Sequence, residues 1–115
     1  MKKISLTQCF SFSATHAHAG TLNETSHAHT FTCEITFYGP LNEEYYLIDF
    51  RLLQDFFKTH LCAQLDGANL NTLFKNPTTE AVAVWIFEQV KKTFPALTSV
   101  KVAEAPDRWV VYTGE

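Results

Sequence analysis

Apolar residues alternate with polar ones near both ends of this chain and recur at helical spacing in its middle. Ile4, Leu6, Phe10 and Phe12 share even positions, with Lys3, Ser5, Thr7 and Ser11 between them, the period-2 pattern of a half-buried strand. Phe31, Cys33, Ile35 and Phe37 then occupy odd positions among Thr30, Thr32, Glu34, Thr36 and Tyr38, which predicts a second strand with its odd side chains on the core. Gly39-Pro40 and the polar Asn42-Glu43-Glu44 are expected to close that strand. Asp49 is placed to cap a helix whose core face carries Phe50, Leu53, Phe57 and Leu61. Pro77-Thr78-Thr79-Glu80 announces a second helix, with a threonine cap and an acid in the first turn. Val82, Ile86 and Val90 follow at helical spacing, and Lys91-Lys92 close it before Pro95. Val100 and Val102 alternate into Glu104, Ala105-Pro106-Asp107 turns the chain, and Trp109 to Tyr112 forms the last strand. The predicted class is α+β: a four-stranded antiparallel sheet backed by two helices on one face.

The same parity carries three histidines. His16 extends the even face of the first strand, and His27 and His29 extend the odd face of the second. If the strands pair antiparallel, all three continue the apolar face where the sheet meets the connecting loop. Three imidazoles without a thiolate leave the fourth position of a tetrahedral zinc open, the catalytic pattern; four-ligand sites are closed and structural. Taken alone, His27-Ala28-His29 reads equally well as a pair of hydrogen-bonded half-core histidines, and it is the third histidine of matching parity that favours metal. Iron, copper and nickel accept the same ligands, and zinc is preferred because an open three-histidine site is a usual catalytic form for it.

Composition narrows the partner. With 115 residues, 46% of them hydrophobic, the chain is read as a single domain over 1–115 with one core. A formal net charge of −3, with nine Lys and Arg scattered and no basic run, argues against nucleic acid, and no apolar stretch reaches the length of a membrane span. A small molecule is the expected partner. Cys9, Cys33 and Cys62 are odd in number and form no CxxC, and Met-Lys-Lys leads into an alternating strand, so a reduced, cytoplasmic protein is expected.

Glu104 breaks the pattern, since it shares the parity of Val100 and Val102 and would point a carboxylate toward their face. Either the strand has ended and Glu104 is solvated, or it anchors a ligand with adjacent N–H donors, to which a carboxylate makes two parallel bonds.

Phe12-Ser13-Ala14-Thr15-His16, His27-Ala28-His29-Thr30-Phe31, Ile48-Asp49-Phe50, Leu65-Asp66, Leu70-Asn71, Pro77-Thr78-Thr79-Glu80, Glu104 and Val111-Tyr112-Thr113-Gly114-Glu115 occur in an order that resembles the 6-pyruvoyl and 6-carboxytetrahydropterin synthase family over essentially the whole chain. The resemblance implies the tunnelling fold, with three subunits joining sheet edges into a barrel and two such trimers stacking into a hexamer. That homo-oligomer would satisfy the open sheet's two unpaired edges. It also implies zinc on His16, His27 and His29, a pterin whose pyrimidine edge is gripped by Glu104, and Thr78 and Thr79 lining the pocket. The implied reaction is elimination from, or cleavage of, the side chain of 7,8-dihydroneopterin triphosphate. In the family a cysteine before the His-x-His pair is the base, supported by an Asp-His dyad.

Two parts of that machinery differ. Residues 17–26 contain no cysteine, and Asp66 is followed by Gly67 where the family has histidine; Ala28 also replaces a usual glycine. Glu24, three residues before His27, is the candidate base, and a branch of the family with this Glu-x-x-His spacing is associated with cleaving dihydroneopterin to 6-hydroxymethyl pterin. Asp66 remains as the second candidate catalytic residue, with His18 or His60 as a replacement proton relay. The expectation is a zinc-dependent lyase on a dihydropterin with Glu24 as base. The alternatives are an aldolase-like enzyme, a catalytically impaired synthase or an inactive pterin-binding homologue.

Overall fold

The computed structural model describes residues 2–17 and 27–115, for His27 its backbone only. Four strands, β1 (Lys3–His16), β2 (His27–Pro40), β3 (Leu97–Ala105) and β4 (Arg108–Tyr112), form one antiparallel sheet in the order β1-β2-β3-β4. The β1–β2 register sets Phe10 opposite Cys33, Phe12 opposite Phe31, Ala14 opposite His29 and His16 opposite His27. The two alternating patterns therefore face the same side, as expected from their parities.

Burial grows along β1 toward the histidines. Ile4 is exposed, Leu6 and Phe10 are half-buried, and Phe12, Ala14 and His16 are buried. At the opposite end β2 does not stop at a Gly39-Pro40 turn: it pairs through Ile4↔Gly39 and Lys3↔Pro40, and Leu41 N–H donates to the Lys2 carbonyl at 2.9 Å. Proline is tolerated there because it is the strand's last residue.

The first helical rod is capped as expected, the Asp49 carboxylate accepting from Arg51 N–H. The Arg51 side chain bonds the same carboxylate and, with that backbone bond, holds its pKa below the ordinary value. The rod begins as α1 (Phe50–Phe56), passes into a π-helical stretch (Phe57–Cys62) and ends in a short α2 (Ala63–Leu65). Leu53, Phe57, Leu61 and Leu65 are all buried. A row of residues four apart drifts around an α-helix of 3.6 residues per turn, and the wider π turns take up that drift so the row stays on the sheet. Phe50 departs from the expected core face. It is 50% exposed and lines, with Ile4, Tyr45 and Tyr46, an open apolar concavity of about 410 Å³. As the first residue of the rod, it borders a hollow between the start of β1 and the segment after β2 rather than the core.

The second helix, α3 (Thr79–Thr93), starts and stops where its sequence marks it. Thr78 Oγ1 accepts from Ala81 N–H at 3.0 Å, and Lys91 Nζ donates to the carbonyls of Pro95 and Leu97. Val82, Ile86 and Val90 pack in one core with Leu53, Leu61, Ile35, Val100 and Val102. Among the described residues no helix is long and apolar enough to cross a membrane.

Leu53, fully buried, and its neighbour Leu52, 61% exposed, separate the two sides of the rod. Leu53→Ala is expected to cost about 2–5 kcal/mol in urea unfolding, whereas Leu52→Ala should stay within about 0.5 kcal/mol of the parent.

Candidate metal and pterin site

A short segment after the first rod is stitched to the edge of β1 just before His16. Ser13 N–H donates to Asp66 Oδ1 at 2.9 Å, Gly67 N–H to the Ser13 carbonyl at 2.7 Å, and Thr15 N–H to the Ala68 carbonyl at 3.0 Å. Asn71 then clasps Ala17 with its side-chain amide, accepting from Ala17 N–H and donating to the Ala17 carbonyl, both at 2.8 Å. These bonds occupy backbone groups on both sides of His16 and fix where its imidazole stands. Gly67 makes the turn possible by adopting φ 74°, a left-handed conformation that favours glycine. A Cβ at that position would meet nothing within 4 Å.

His16 itself is fully buried, and its Nδ1 lies 2.9 Å from the Pro77 carbonyl. A carbonyl only accepts, so Nδ1 carries the hydrogen and in the neutral ring Nε2 presents its lone pair. A hydrogen bond of this kind sets the tautomer of metal-binding histidines. The His29 ring stands edge-on to His16 with centroids 5.1 Å apart, and Phe31 packs against both rings, 5.6 and 6.1 Å away.

Glu104 completes the cluster from a bulge. Ala103 pairs with Trp109 and Ala105 with Arg108, so Glu104 is the extra residue on β3. Its side chain nevertheless keeps to the face of Val100 and Val102, as their shared parity predicts. Glu104 Oε2 lies 3.8 Å from His16 Nε2, while Oε1 is 3.4 Å from Arg108 Nε, and the side chain is 17% exposed. One ligand atom from each of His16, His29 and Glu104 falls within 4.8 Å of the others. Two imidazoles and a carboxylate are a donor set that suits a divalent transition metal such as zinc.

Glu104 also lies between two hollows. One, of about 480 Å³ on the sheet face away from the helices, is lined by Thr30, Thr32, Glu34, Lys101 and Trp109 among others. The other, of about 180 Å³, is lined by Thr79, Glu80, Glu104, Arg108, Trp109 and Val110. Thr79, buried, thus shares a hollow with Glu104, whereas the Thr78 hydroxyl is engaged in capping α3.

The remaining candidates fall elsewhere. Asp66 is exposed and spends one carboxylate oxygen on Ser13 N–H. His60 lies on the first rod, stacked on Phe56 with centroids 4.5 Å apart and its Nδ1 2.9 Å from Thr59 Oγ1. Glu24, His18 and the side chain of His27 lie outside the described residues. None of the three cysteines is at the cluster. Cys9 is exposed on β1; Cys33 is buried, and burial pushes its thiol far above the ordinary range; Cys62 is raised by burial first and by the charge of Asp66 second. Arg108 and the Pro77 carbonyl are the participants that sequence patterning missed. Arg108 opens β4, where a lone basic residue is unremarked, and a backbone carbonyl carries no residue-type signal.

The 6-pyruvoyl tetrahydropterin synthase family model matches residues 4–115. The chain is 36% identical over 91 residues to the dihydroneopterin monophosphate aldolase of Pyrococcus furiosus, a match covering 79% of this chain and 78% of that protein. In fold it is similar to the 6-pyruvoyl tetrahydropterin synthase of Caenorhabditis elegans, at TM-score 0.90 and 22% identity, covering 100% of this chain and 98% of the other. It is also similar to a variant of the Plasmodium vivax 6-pyruvoyltetrahydropterin synthase in which a catalytic glutamate is replaced by alanine. That likeness has TM-score 0.81 and 17% identity, covering 97% of this chain and 98% of the other. A match running from residue 4 to residue 115, over a sheet and two helical rods of the same fold, means that the chain belongs to the 6-pyruvoyl tetrahydropterin synthase family.

Proposed function

We propose that this protein is a zinc-dependent lyase that cleaves the side chain of a 7,8-dihydroneopterin phosphate to give a 6-hydroxymethyl dihydropterin. The observation that carries this reading is the convergence of buried His16 with His29 and Glu104 at the end of the sheet, with the His16 tautomer set by Pro77. His27 is the third zinc ligand in this reading, because the register places it opposite His16 and two residues from His29. Zinc held there would polarise the hydroxyl groups of the pterin side chain as a Lewis acid.

The chain's own residues then have distinct tasks. Glu104 accepts hydrogen bonds from the amino group and ring N–H of the pterin, a charge-assisted bidentate pair, with Thr79 beside it in the same hollow. Glu24 acts as general base on the hydroxyl of the second side-chain carbon. As that oxygen becomes an aldehyde, the bond between the first and second side-chain carbons breaks, its electron pair passes into the pterin ring system, and a proton returns to the first carbon. The products are 6-hydroxymethyl dihydropterin and a glycolaldehyde unit carrying whatever phosphate the substrate had. Two likenesses favour this branch: the Pyrococcus furiosus relative is named for the aldolase reaction on the monophosphate, and the Plasmodium vivax enzyme uses a catalytic glutamate. Asp66 would support the proton transfers only across a subunit boundary, since its carboxylate here braces Ser13.

The outer strands of the sheet are β1 and β4, and we infer that they pair between copies in a trimer or hexamer with the active sites between subunits. Light scattering on the eluting protein is expected to give a mass of three or six chains; a monomer at micromolar concentration would rule the assembly out.

Incubation of zinc-loaded protein with 7,8-dihydroneopterin, its monophosphate and its triphosphate, followed by chromatography, is expected to yield 6-hydroxymethyl dihydropterin with glycolaldehyde or its phosphate. Release of acetaldehyde and triphosphate would instead indicate the carboxytetrahydropterin synthase reaction, and pterin binding without turnover would indicate a binding protein. Glu24→Gln should lower turnover by about 10²–10⁴-fold while bound zinc, measured by atomic emission, stays at the parent level. Unchanged turnover would remove Glu24 as the base.

A further inference from the structure

The family reading gives Glu104 one role, on the pterin, yet its carboxylate is oriented toward the histidines. We propose that in the substrate-free protein Glu104 is itself a metal ligand, closing the coordination shell beside His16, His27 and His29, and that it leaves the metal for the pterin when substrate enters. This rests on the reading of the three histidines as a zinc site.

Distance separates this arrangement from a direct hydrogen bond. Glu104 Oε2 and His16 Nε2 are 3.8 Å apart, beyond the roughly 2.7–3.2 Å of a direct N–H···O bond. Two ligand atoms each about 2.0–2.2 Å from a tetrahedral zinc are separated by about 3.4 Å. The observed gap is close to that edge, and His29 offers a ligand atom within the same 4.8 Å group. Glu104 is the extra residue between the Ala103 and Ala105 pairs, and its parity with Val100 and Val102 keeps its side chain on the face that carries the histidines. Arg108 holds the other oxygen, Oε1, at 3.4 Å, so the carboxylate is steadied from the solvent side while Oε2 faces the histidines.

The consequence is a site guarded against water and small anions until a pterin arrives. A ligand that offers adjacent N–H donors to Glu104 and hydroxyl groups to the metal draws the carboxylate away and fills the position it leaves; a ligand that offers only one of these does not. Discrimination would then arise from the exchange itself, since both halves of the substrate must be present.

Cobalt(II)-substituted protein tests the idea, because its visible absorption reports the number and type of ligands independently of turnover. The parent protein, Glu104→Gln and Glu104→Ala should be compared, with circular dichroism to verify folding and zinc affinity measured against a chromophoric chelator. We expect both variants to change the cobalt spectrum and weaken zinc binding roughly 10-fold or more, at least the loss that follows removal of a metal's outer-shell partner. We further expect 7,8-dihydroneopterin to shift the cobalt spectrum of the parent. Identical spectra and zinc affinities within twofold for the parent and both variants would overturn the proposal while leaving the histidine site intact. Equal zinc binding by the parent and His16→Ala would overturn the underlying site and the proposal with it.

Discussion

An imidazole sealed at the end of a sheet must have a fixed position and a satisfied polar edge, and much of the structure around His16 exists to meet those two demands. The ring is fully buried, so leaving its N–H without an acceptor would cost about 1–3 kcal/mol. The Pro77 carbonyl supplies that acceptor, from the residue just before the cap of α3. Position comes from the opposite direction: Asp66, Gly67, Ala68 and Asn71 bond the backbone of β1 from Ser13 to Ala17. The two helical rods therefore do more than cover the sheet, since the end of one and the start of the other hold the same histidine.

Seen this way, Asp66 has a task that does not depend on the imidazole missing beside it. Its carboxylate satisfies an N–H at the outer edge of the sheet, where among the described residues no further strand of the chain pairs with β1. Gly67 follows because the turn needs φ 74°, which a histidine would adopt only at a cost. The space around its Cβ position is open, so conformation, not crowding, is what glycine relieves there.

Period-2 alternation made the sheet legible, since a register error of one residue would have exposed Phe12, Phe31 and Ile35 together. Both helix starts were legible for the same kind of reason: Asp49 and Thr78 have side chains that accept the backbone N–H groups a helix leaves over. What alternation could not reveal were departures that cost no change in residue type. Leu53, Phe57 and Leu61 suit an α-helix and a π-widened one equally, and Phe50 continues the same row although it borders an open hollow between the start of β1 and the segment after β2. Of the cluster, His16, His29 and Glu104 were visible because strand parity gathers them. The bulge was not, because Ala103 and Ala105 fit a regular strand as well as an interrupted one. The bonds from residue 13 to 66 and from 17 to 71 join segments more than fifty positions apart, where no local pattern reaches.

The cysteines are poorly placed for base chemistry in this chain. A thiol acts as a base or nucleophile through its thiolate, and burial in apolar surroundings suppresses that form. Cys33 is locked in the core, with its thiol raised by desolvation first and then by Cys62 and Cys9; Cys62 is raised by partial burial and by the Asp66 charge. Cys9 is accessible, but it faces outward on β1 opposite Glu34, seven residues before His16 along a strand that rises about 3.3 Å per residue. That places it about 23 Å from the histidine cluster. No thiol of the same chain is therefore placed to reach a substrate at His16 and Glu104, which favours an oxygen or nitrogen base for the reaction proposed above.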